Sequence, residues 1–335
     1  MKAVGYRESL PIDHPRSLED LQIPTPELRP RDLLVRVRAV SVNPVDTKVR
    51  KNRKPGTHPE ILGWDAVGTV EKVGADVKNF QIGDRVFYAG SLNRPGTNSE
   101  LHAVDERIVA RAPKSLSDAE AAALPLTSIT AYELLFHRLN IAKGGGKGQS
   151  VLVIGGAGGV GSILVQIARR LTQLHIIATA SREETRKWCL DLGAHAVIDH
   201  RESLDEALKA AGVEAVDYVA ALTHTEKHYP AIVKSLKPQG AMGVIDDMKG
   251  LDVMALKEKS ISLHWELMFT RPMFETPDMR AQGDLLAEIA ELVDSGRVRS
   301  TVNSFMGAIN AENMRRAHAL VESGRAQGKV VLAGF

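Results

Sequence analysis

The sequence predicts a two-body α/β chain: a β-rich body of short strands, and a doubly wound parallel sheet with helices on both faces. Three observations carry this. Residues 1 to 125 hold short alternating apolar runs punctuated by Gly63, Gly68, Gly74, Gly83, Gly90 and Gly96, as in a small barrel-like β domain. From Val151 onward, strand-like and helix-like stretches take turns, the pattern of a parallel sheet. Between them lies Val151-Leu152-Val153-Ile154-Gly155-Gly156-Ala157-Gly158-Gly159-Val160-Gly161-Ser162, a buried strand running into a glycine turn and then a helix.

Residues 33–40 alternate Val35, Val37 and Ala39 against Arg36, Arg38 and Val40, a half-buried strand. Further strands are expected at 67–73, 85–88 and 99–104. Asn43-Pro44 opens a helix, with Asn43 a natural cap and Pro44 suited to the first position. Ser117…Glu120 is a capping box, and a longer helix is expected over 129–139. Gly144-Gly145-Gly146-Lys147-Gly148 lacks the P-loop spacing and is a linker. In the second body, strands are expected at 151–154, 175–179, 195–198, 215–220, 240–245 and 261–265. Helices are expected at 162–171, 183–191, 204–211, 227–236 and 280–295, with Ser181…Glu184 and Ser203…Glu206 as capping boxes for two of them. A helix over 311–323 and a strand at 329–332 close the chain, and that strand returns to the first body.

The length of 335 residues suits two domains. A net charge of +2 points to neither nucleic acid nor a membrane surface. No apolar run reaches the ~18 residues of a membrane helix, and the N-terminus lacks a signal-peptide core. A cytoplasmic protein is expected. The single cysteine, Cys189, forms no internal disulfide and cannot build a cysteine zinc site; a packed thiol is the expectation. His224 and His228 share helical spacing but lack a third ligand, so a solvated helix start is expected there.

Gly156, Gly158 and Gly161 fit G-x-G-x-x-G. The first glycine permits a sharp turn, the second lets backbone approach a pyrophosphate, and the third lets helix pack close to strand. A helix start there offers N–H groups and a positive dipole end to phosphates. Gly156, Gly158, Gly159, Val160 and Gly161 are therefore candidate dinucleotide contacts. The cofactor selector falls about 20 residues on, at the tip of the second strand. Here Ala178-Thr179-Ala180-Ser181-Arg182 carries no acid. A small residue followed by Arg favours NADPH, because a guanidinium forks onto a phosphate. The plainer alternative is that Ser181 caps a helix and Arg182 is solvated.

Five stretches together resemble the medium-chain dehydrogenase/reductase superfamily: Val40-Ser41-Val42-Asn43-Pro44-Val45-Asp46, Leu62-Gly63-Trp64-Asp65-Ala66-Val67-Gly68, Ile82-Gly83-Asp84-Arg85-Val86, residues 123–132, and residues 155–161. The closest likeness is to its zinc-independent quinone oxidoreductase branch, especially the "zinc-type alcohol dehydrogenase-like" members. The resemblance implies a GroES-like β-barrel domain at 1–126 and 307–335, and a Rossmann NADPH-binding domain at 127–306. It also implies a cleft for cofactor and substrate, and a homodimer. In zinc-bearing relatives the ligands stand where this chain has Asn43, Trp64 and Leu126, none a competent ligand in that constellation. Any metal is therefore expected to be absent.

The resemblance implies reaction-site candidates in Asn43, Asp46, Trp64 and Thr130. For Asn43 the alternative is plain capping, for Trp64 plain core, and for Thr130 a bond to a helix carbonyl. It implies cofactor contacts at Ser181, Arg182 and His200, through backbone at Leu222 and Ile245, and at Lys329. Lys48 replaces a tyrosine common among quinone reductases. Quinones and α,β-unsaturated carbonyls delocalise charge and need little Lewis-acid help, so the expected activity is NADPH-dependent hydride transfer to a quinone or enone. The alternatives are a dehydrogenase of another small alcohol or carbonyl, and a low-turnover NADPH-binding redox sensor.

Overall fold

The computed structural model describes all 335 residues and divides into two units, residues 1–129 with 269–335, and residues 130–268. The first unit is built around one long strand. Strand β1 (Lys2–Tyr6) pairs antiparallel with β2 (Glu19–Gln22). Strand β3 (Asp32–Val42) extends the expected alternation to 11 residues. Helix α1 (Pro44–Asn52) follows, then β4 (Glu60–Ile61), which joins β1, and β5 (Ala66–Val73). Strands β6 (Arg85–Tyr88), β7 (Leu101–Asp105) and β8 (Val109–Arg111) complete the first pass.

Strand β3 has β5 along most of its length, β7 along its first residues and β16 (Lys329–Ala333) along its last. The β3–β5 register shifts between Val37 and Ala39. Gly68 sits at this crossing, and a Cβ there would fall 2.2 Å from the Arg36 carbonyl oxygen. Only glycine lets the two backbones approach so closely. Helix α2 (Asp118–Ala122) starts on the expected capping box: the Glu120 carboxylate accepts the Ser117 N–H at 3.0 Å. Helix α3 (Pro125–Tyr132) begins earlier than expected, with Pro125 in the first turn where its missing N–H costs nothing. It passes into a π-helical stretch, Glu133–Arg138.

The second unit is an all-parallel sheet of six strands, in the order β11-β10-β9-β12-β13-β14. They are β9 (Ser150–Ile154), β10 (His175–Thr179), β11 (Ala196–Ile198), β12 (Val216–Ala221), β13 (Leu236–Val244) and β14 (Ser262–Trp265). Helices α4 (Gly159–Leu171), α5 (Glu183–Asp191), α6 (Leu204–Ala210) and α7 (Thr225–Ser235) connect them. Every residue of β9 is buried, as a strand covered on both faces requires. The chain moves outward from β9 in one direction and then, from β12, in the other. A crevice at such a reversal, beyond the carboxyl ends of the strands, is where nucleotides bind in this architecture.

Two expected caps differ. Arg182, not Ser181, holds the N-cap position of α5, and Thr185 Oγ1 accepts its N–H at 3.3 Å and donates to its carbonyl at 2.8 Å. The Ser203 hydroxyl donates to Asp205 instead of capping α6. The segment after β14 also differs from expectation. Residues 269–306 belong with the first unit, where the sequence placed them with the second. Helix α8 (Thr270–Phe274) lies there, and so does α9 (Ala281–Asp294). Helix α9 packs on β8 through Gly283, where a Cβ would meet the Arg107 carbonyl oxygen at 2.6 Å. Its amphipathic pattern looks the same whichever sheet it covers. Strand β15 (Val302–Phe305) runs parallel to β16, and α10 (Ala311–Glu322) separates them in the chain.

Candidate cofactor-binding and reaction site

In the second unit the glycine turn is pinned to the tip of β10. The Gly155 N–H donates to Thr179 Oγ1 at 3.0 Å, and the Gly156 N–H to the Thr179 carbonyl at 3.2 Å. A Cβ on Gly156 would lie 2.7 Å from Ala178 Cβ and 3.2 Å from Cys189 Sγ. One on Gly161 would lie 2.3 Å from the Gly155 oxygen. Those two glycines permit close packing. Gly158 differs, because its Cβ would meet only the Gly155 oxygen, at 3.4 Å. Its outer side is open, at the N-cap of α4. The N–H groups of Gly159, Val160 and Gly161 begin this helix and precede the first intrahelical bond, from the Ser162 N–H to the Gly158 carbonyl at 2.9 Å. No acid stands in that first turn. An open glycine beside unpaired N–H groups fits a pyrophosphate.

The tips of β10 and β11 are laced together. The Ala180 N–H donates to the Ile198 carbonyl at 3.0 Å, and the Arg201 guanidinium to the Ser181 carbonyl at 3.1 Å. Ser181, Arg182 and Arg201 thus share one corner. Arg182 is exposed and pairs with Glu184 at 2.8 Å. Arg201 escaped the sequence reading. Its signal was available: a basic residue just after the third strand of a parallel sheet ends at the same edge as the second. Arg201 also grips Asp199, whose carboxyl it holds down to about 2. His200, half-buried, meets the buried His228 ring edge-on at 6.4 Å. His228 is therefore not part of a solvated helix start, whereas His224 is exposed. Leu222 and Ile245 stand just past β12 and β13, with their N–H groups bonded to the carbonyls of Ile154 and Ala221 at 3.3 Å each. Thr130 is buried on α3. Cys189 is buried, and burial pushes its thiol up to about 12, so it is inert.

In the first unit, Asn43, Asp46, Asp65 and Lys329 form one buried cluster. Asp65 Oδ2 accepts from Ser41 at 2.5 Å, from Asn43 Nδ2 at 2.7 Å and from Lys329 Nζ at 3.1 Å, and its Oδ1 accepts the Leu126 N–H at 2.7 Å. Lys329 also donates to Asn43 Oδ1 and to the Val42 carbonyl. All three ammonium positions face oxygens of the chain, so the lysine offered by the sequence as a cofactor contact is committed to this cluster. Asn43 is likewise more than a cap: its amide bridges Lys329 and Asp65. Asp46 Oδ2 accepts the Asn43 N–H, while Oδ1 has no partner. Burial pushes the Asp46 carboxyl up to about 7, assisted by Asp65 and opposed by the Asn43 and Gly63 N–H groups and by Lys329. Trp64 is 1% exposed, donates Nε1–H to the Ser91 carbonyl at 3.1 Å and meets the Phe269 ring edge-on at 6.1 Å.

These residues do not fit a zinc ion. Asn43 has both side-chain atoms engaged, the Trp64 indole is a donor only, and Leu126 contributes a backbone N–H. Of the two carboxylates beside them, Asp65 is saturated with donors and has an ammonium 3.1 Å away, and burial pushes Asp46 toward its protonated form.

The comparisons with known proteins agree with this architecture. Residues 29–114 match the model of the alcohol dehydrogenase GroES-like domain, and residues 192–332 that of zinc-binding dehydrogenases. The chain is 40% identical to a zinc-type alcohol dehydrogenase-like protein of Staphylococcus epidermidis, over 99% of both chains. It is 31% identical to the 2-methylene-furan-3-one reductase of Solanum lycopersicum, over 99% of this chain and 79% of that one. A Rhizobium etli protein, described with its crystal structure as a zinc-dependent alcohol dehydrogenase, is 55% identical, with a TM-score of 0.97 over 100% and 98% of the two chains. More distant structures include the quinone oxidoreductase of Coxiella burnetii, at 26% identity, TM-score 0.82 and coverage of 100% and 99%. A mycobacterial protein complexed with NADPH stands at 27%, 0.83, and 99% of both chains. This chain belongs to the medium-chain dehydrogenase/reductase superfamily, and it is an oxidoreductase of that superfamily with a GroES-like unit and a Rossmann-type parallel sheet.

Proposed function

We propose that the protein is an NADPH-dependent reductase of quinones or α,β-unsaturated carbonyls that works without zinc. The observation that carries this is the corner where Ser181, Arg182 and Arg201 converge with no acid on the tip of β10. Two guanidiniums beside a small hydroxyl residue suit an adenosine 2′-phosphate. The open side of Gly158 and the first-turn N–H groups of α4 would hold the pyrophosphate. NADPH, when bound, supplies a hydride; the acceptor takes it with one proton from solvent. The chain's own part is to hold and orient the carrier and to keep a preorganised polar surround. The donor set around Asn43 and Asp65 favours an acceptor that needs no Lewis acid. The names of the tomato and Coxiella relatives support the same acceptor classes, since a 2-methylene-furan-3-one carries a conjugated exocyclic double bond.

Stopped-flow oxidation of bound NADPH by a panel of quinones, enones, saturated aldehydes and ketones tests the proposal. Faster turnover with quinones or enones than with saturated carbonyls is expected. Preference for saturated carbonyls would turn the reading to an ordinary dehydrogenase. Tight NADPH binding with no acceptor above the blank would turn it to a redox sensor.

A further inference from the structure

Three histidines gather at the carboxyl edge of the parallel sheet, and the proposed hydride transfer uses none of them. His200 follows β11, His224 follows β12, and His228 lies on the first turns of α7. The His200 and His228 rings meet edge-on at 6.4 Å. His224 sits in the left-handed region at φ 51° and shares a 2.8 Å hydrogen bond with Thr223 Oγ1. The loop bearing His200 is tied to the Ser181–Arg182 corner through the Arg201–Ser181 and Ala180–Ile198 bonds.

The fixed charges around the pair cancel, Lys227 and Arg201 against Asp199 and Asp246. His200 faces Lys227 and Arg201 on the positive side and Asp199 on the negative, with the His224 ring as a further neighbour. His228 faces Lys227 against Asp246, with the His200 and His224 rings as neighbours. Both carboxylates are already engaged, Asp199 by Arg201 and Asp246 by the Thr225 N–H and hydroxyl. Burial first, then Lys227 beside both rings and Arg201 beside His200, holds both imidazoles below their ordinary range. The empty protein therefore keeps them neutral near pH 7. A phosphate brought to this corner adds negative charge to that balance beside two neutral imidazoles, and so favours the protonated form.

We propose that the His200–His228 pair takes up a proton from solvent when the 2′-phosphate of NADPH binds, so that pH sets NADPH affinity and leaves NADH affinity unchanged. This rests on the NADPH reading above. The sign follows from linkage: a group that gains a proton on binding makes binding tighter as pH falls, by at most about tenfold per pH unit for each proton. The phosphate's own second ionisation, near pH 6, works in the opposite direction if the dianion is preferred. The direction of the change therefore separates the two.

The test is fluorescence titration of the full chain with NADPH and with NADH from pH 6.0 to 8.0, with calorimetry in two buffers of different ionisation heat. NADPH should bind several-fold tighter at the acid end, with proton uptake in the calorimeter, while NADH changes by less than about twofold. His200→Gln should flatten the NADPH profile and spare NADH. His228→Gln should do the same; should that buried change unfold the chain, the half-buried His200 position decides. NADPH binding that is tight but flat with pH, or that weakens toward acid, overturns this inference alone. Absence of NADPH binding at every pH overturns the cofactor reading and this inference with it.

Discussion

Lys329 Nζ lies 3.1 Å from Asp65 Oδ2, with 3% and 0% of the two side chains exposed and 264 positions of chain between them. A buried ion pair adds little when complete but is expensive to break, because one charge is left without its partner. Lys329→Met should therefore lower unfolding free energy by about 3–5 kcal/mol, read as a shift in denaturant midpoint. Asp65→Asn combined with Lys329→Met should recover much of that loss. Equal losses in the single and double variants would mean that the lost ammonium bonds to Asn43 and the Val42 carbonyl, not an uncompensated charge on Asp65, set the cost.

That cluster marks the limit of what the sequence makes legible. The strand at 33–40, the strand–glycine–helix stretch and the Ser117 capping box are local patterns, and they fold as local patterns imply. Strand β2, Glu-Asp-Leu-Gln, has one apolar residue and is a strand only because β1 pairs with it. Asp65 has no local signal that Lys329 is its partner, and Asn43 read alone is simply a good cap. The glycine loop and Ser181–Arg182 could be found by spacing along the chain. Arg201 could be found only once β10 and β11 were known to be neighbours.

Asp46 gives stability a pH dependence whose sign is opposite to that of an ordinary paired carboxylate. Its folded carboxyl is pushed up to about 7, above its ordinary 3.8. The native state therefore holds the proton more tightly than the unfolded chain does. This contribution is fully present below about pH 4, is lost as pH rises to about 7, and is constant beyond. Asp46→Asn keeps an acceptor for the Asn43 N–H and removes the titration. Thermal unfolding of the variant should vary less than that of the parent between about pH 4 and 7, with a gain of about 2–4 kcal/mol over the parent above pH 7. Parallel curves for the two proteins would show that Asp46 is ionised throughout.

The second and third glycines of the motif, Gly158 and Gly161, should separate binding from packing. Gly161→Ala places a methyl 2.3 Å from the Gly155 oxygen, a backbone atom that cannot move aside cheaply. It should lower the melting temperature and weaken NADPH and NADH together. Gly158 has φ −74°, which alanine adopts freely, and its Cβ meets only an ordinary 3.4 Å contact. Gly158→Ala should fold with unchanged melting temperature yet bind both dinucleotides roughly tenfold or more weakly, because its methyl enters the pyrophosphate's space. Unimpaired binding would place the pyrophosphate elsewhere.

Zinc provides a test that does not depend on catalysis. Incubation with zinc chloride, followed by gel filtration and elemental analysis, should leave substoichiometric metal, because the Asn43–Asp65–Lys329 cluster already carries its own cation. Lys329→Met should not create a site, since Trp64 and Leu126 still offer no ligand atoms. One zinc retained per parent chain would overturn the metal-free reading while leaving the fold untouched.

Arg201 separates a phosphate corner from a ribose corner. Its guanidinium covers Asp199 at 2.6 Å and reaches the Ser181 carbonyl at 3.1 Å. Arg201→Ala removes a cation and also uncovers a carboxylate at the place where a 2′-phosphate is proposed to sit. Both changes act against NADPH, and a free acid there suits ribose hydroxyls. NADPH should therefore weaken by roughly tenfold or more while NADH holds or improves. Arg182→Ala removes a cation and frees only the exposed Glu184, which solvent screens, so it should produce the smaller of the two losses, again confined to NADPH. Adding Asp199→Asn to Arg201→Ala should restore part of the NADPH affinity, because it removes the repulsion without returning the guanidinium. Equal weakening of both dinucleotides in the Arg201 variant would mean that the residue only braces the tips of β10 and β11, and the phosphate contact would then have to be sought elsewhere on the sheet edge.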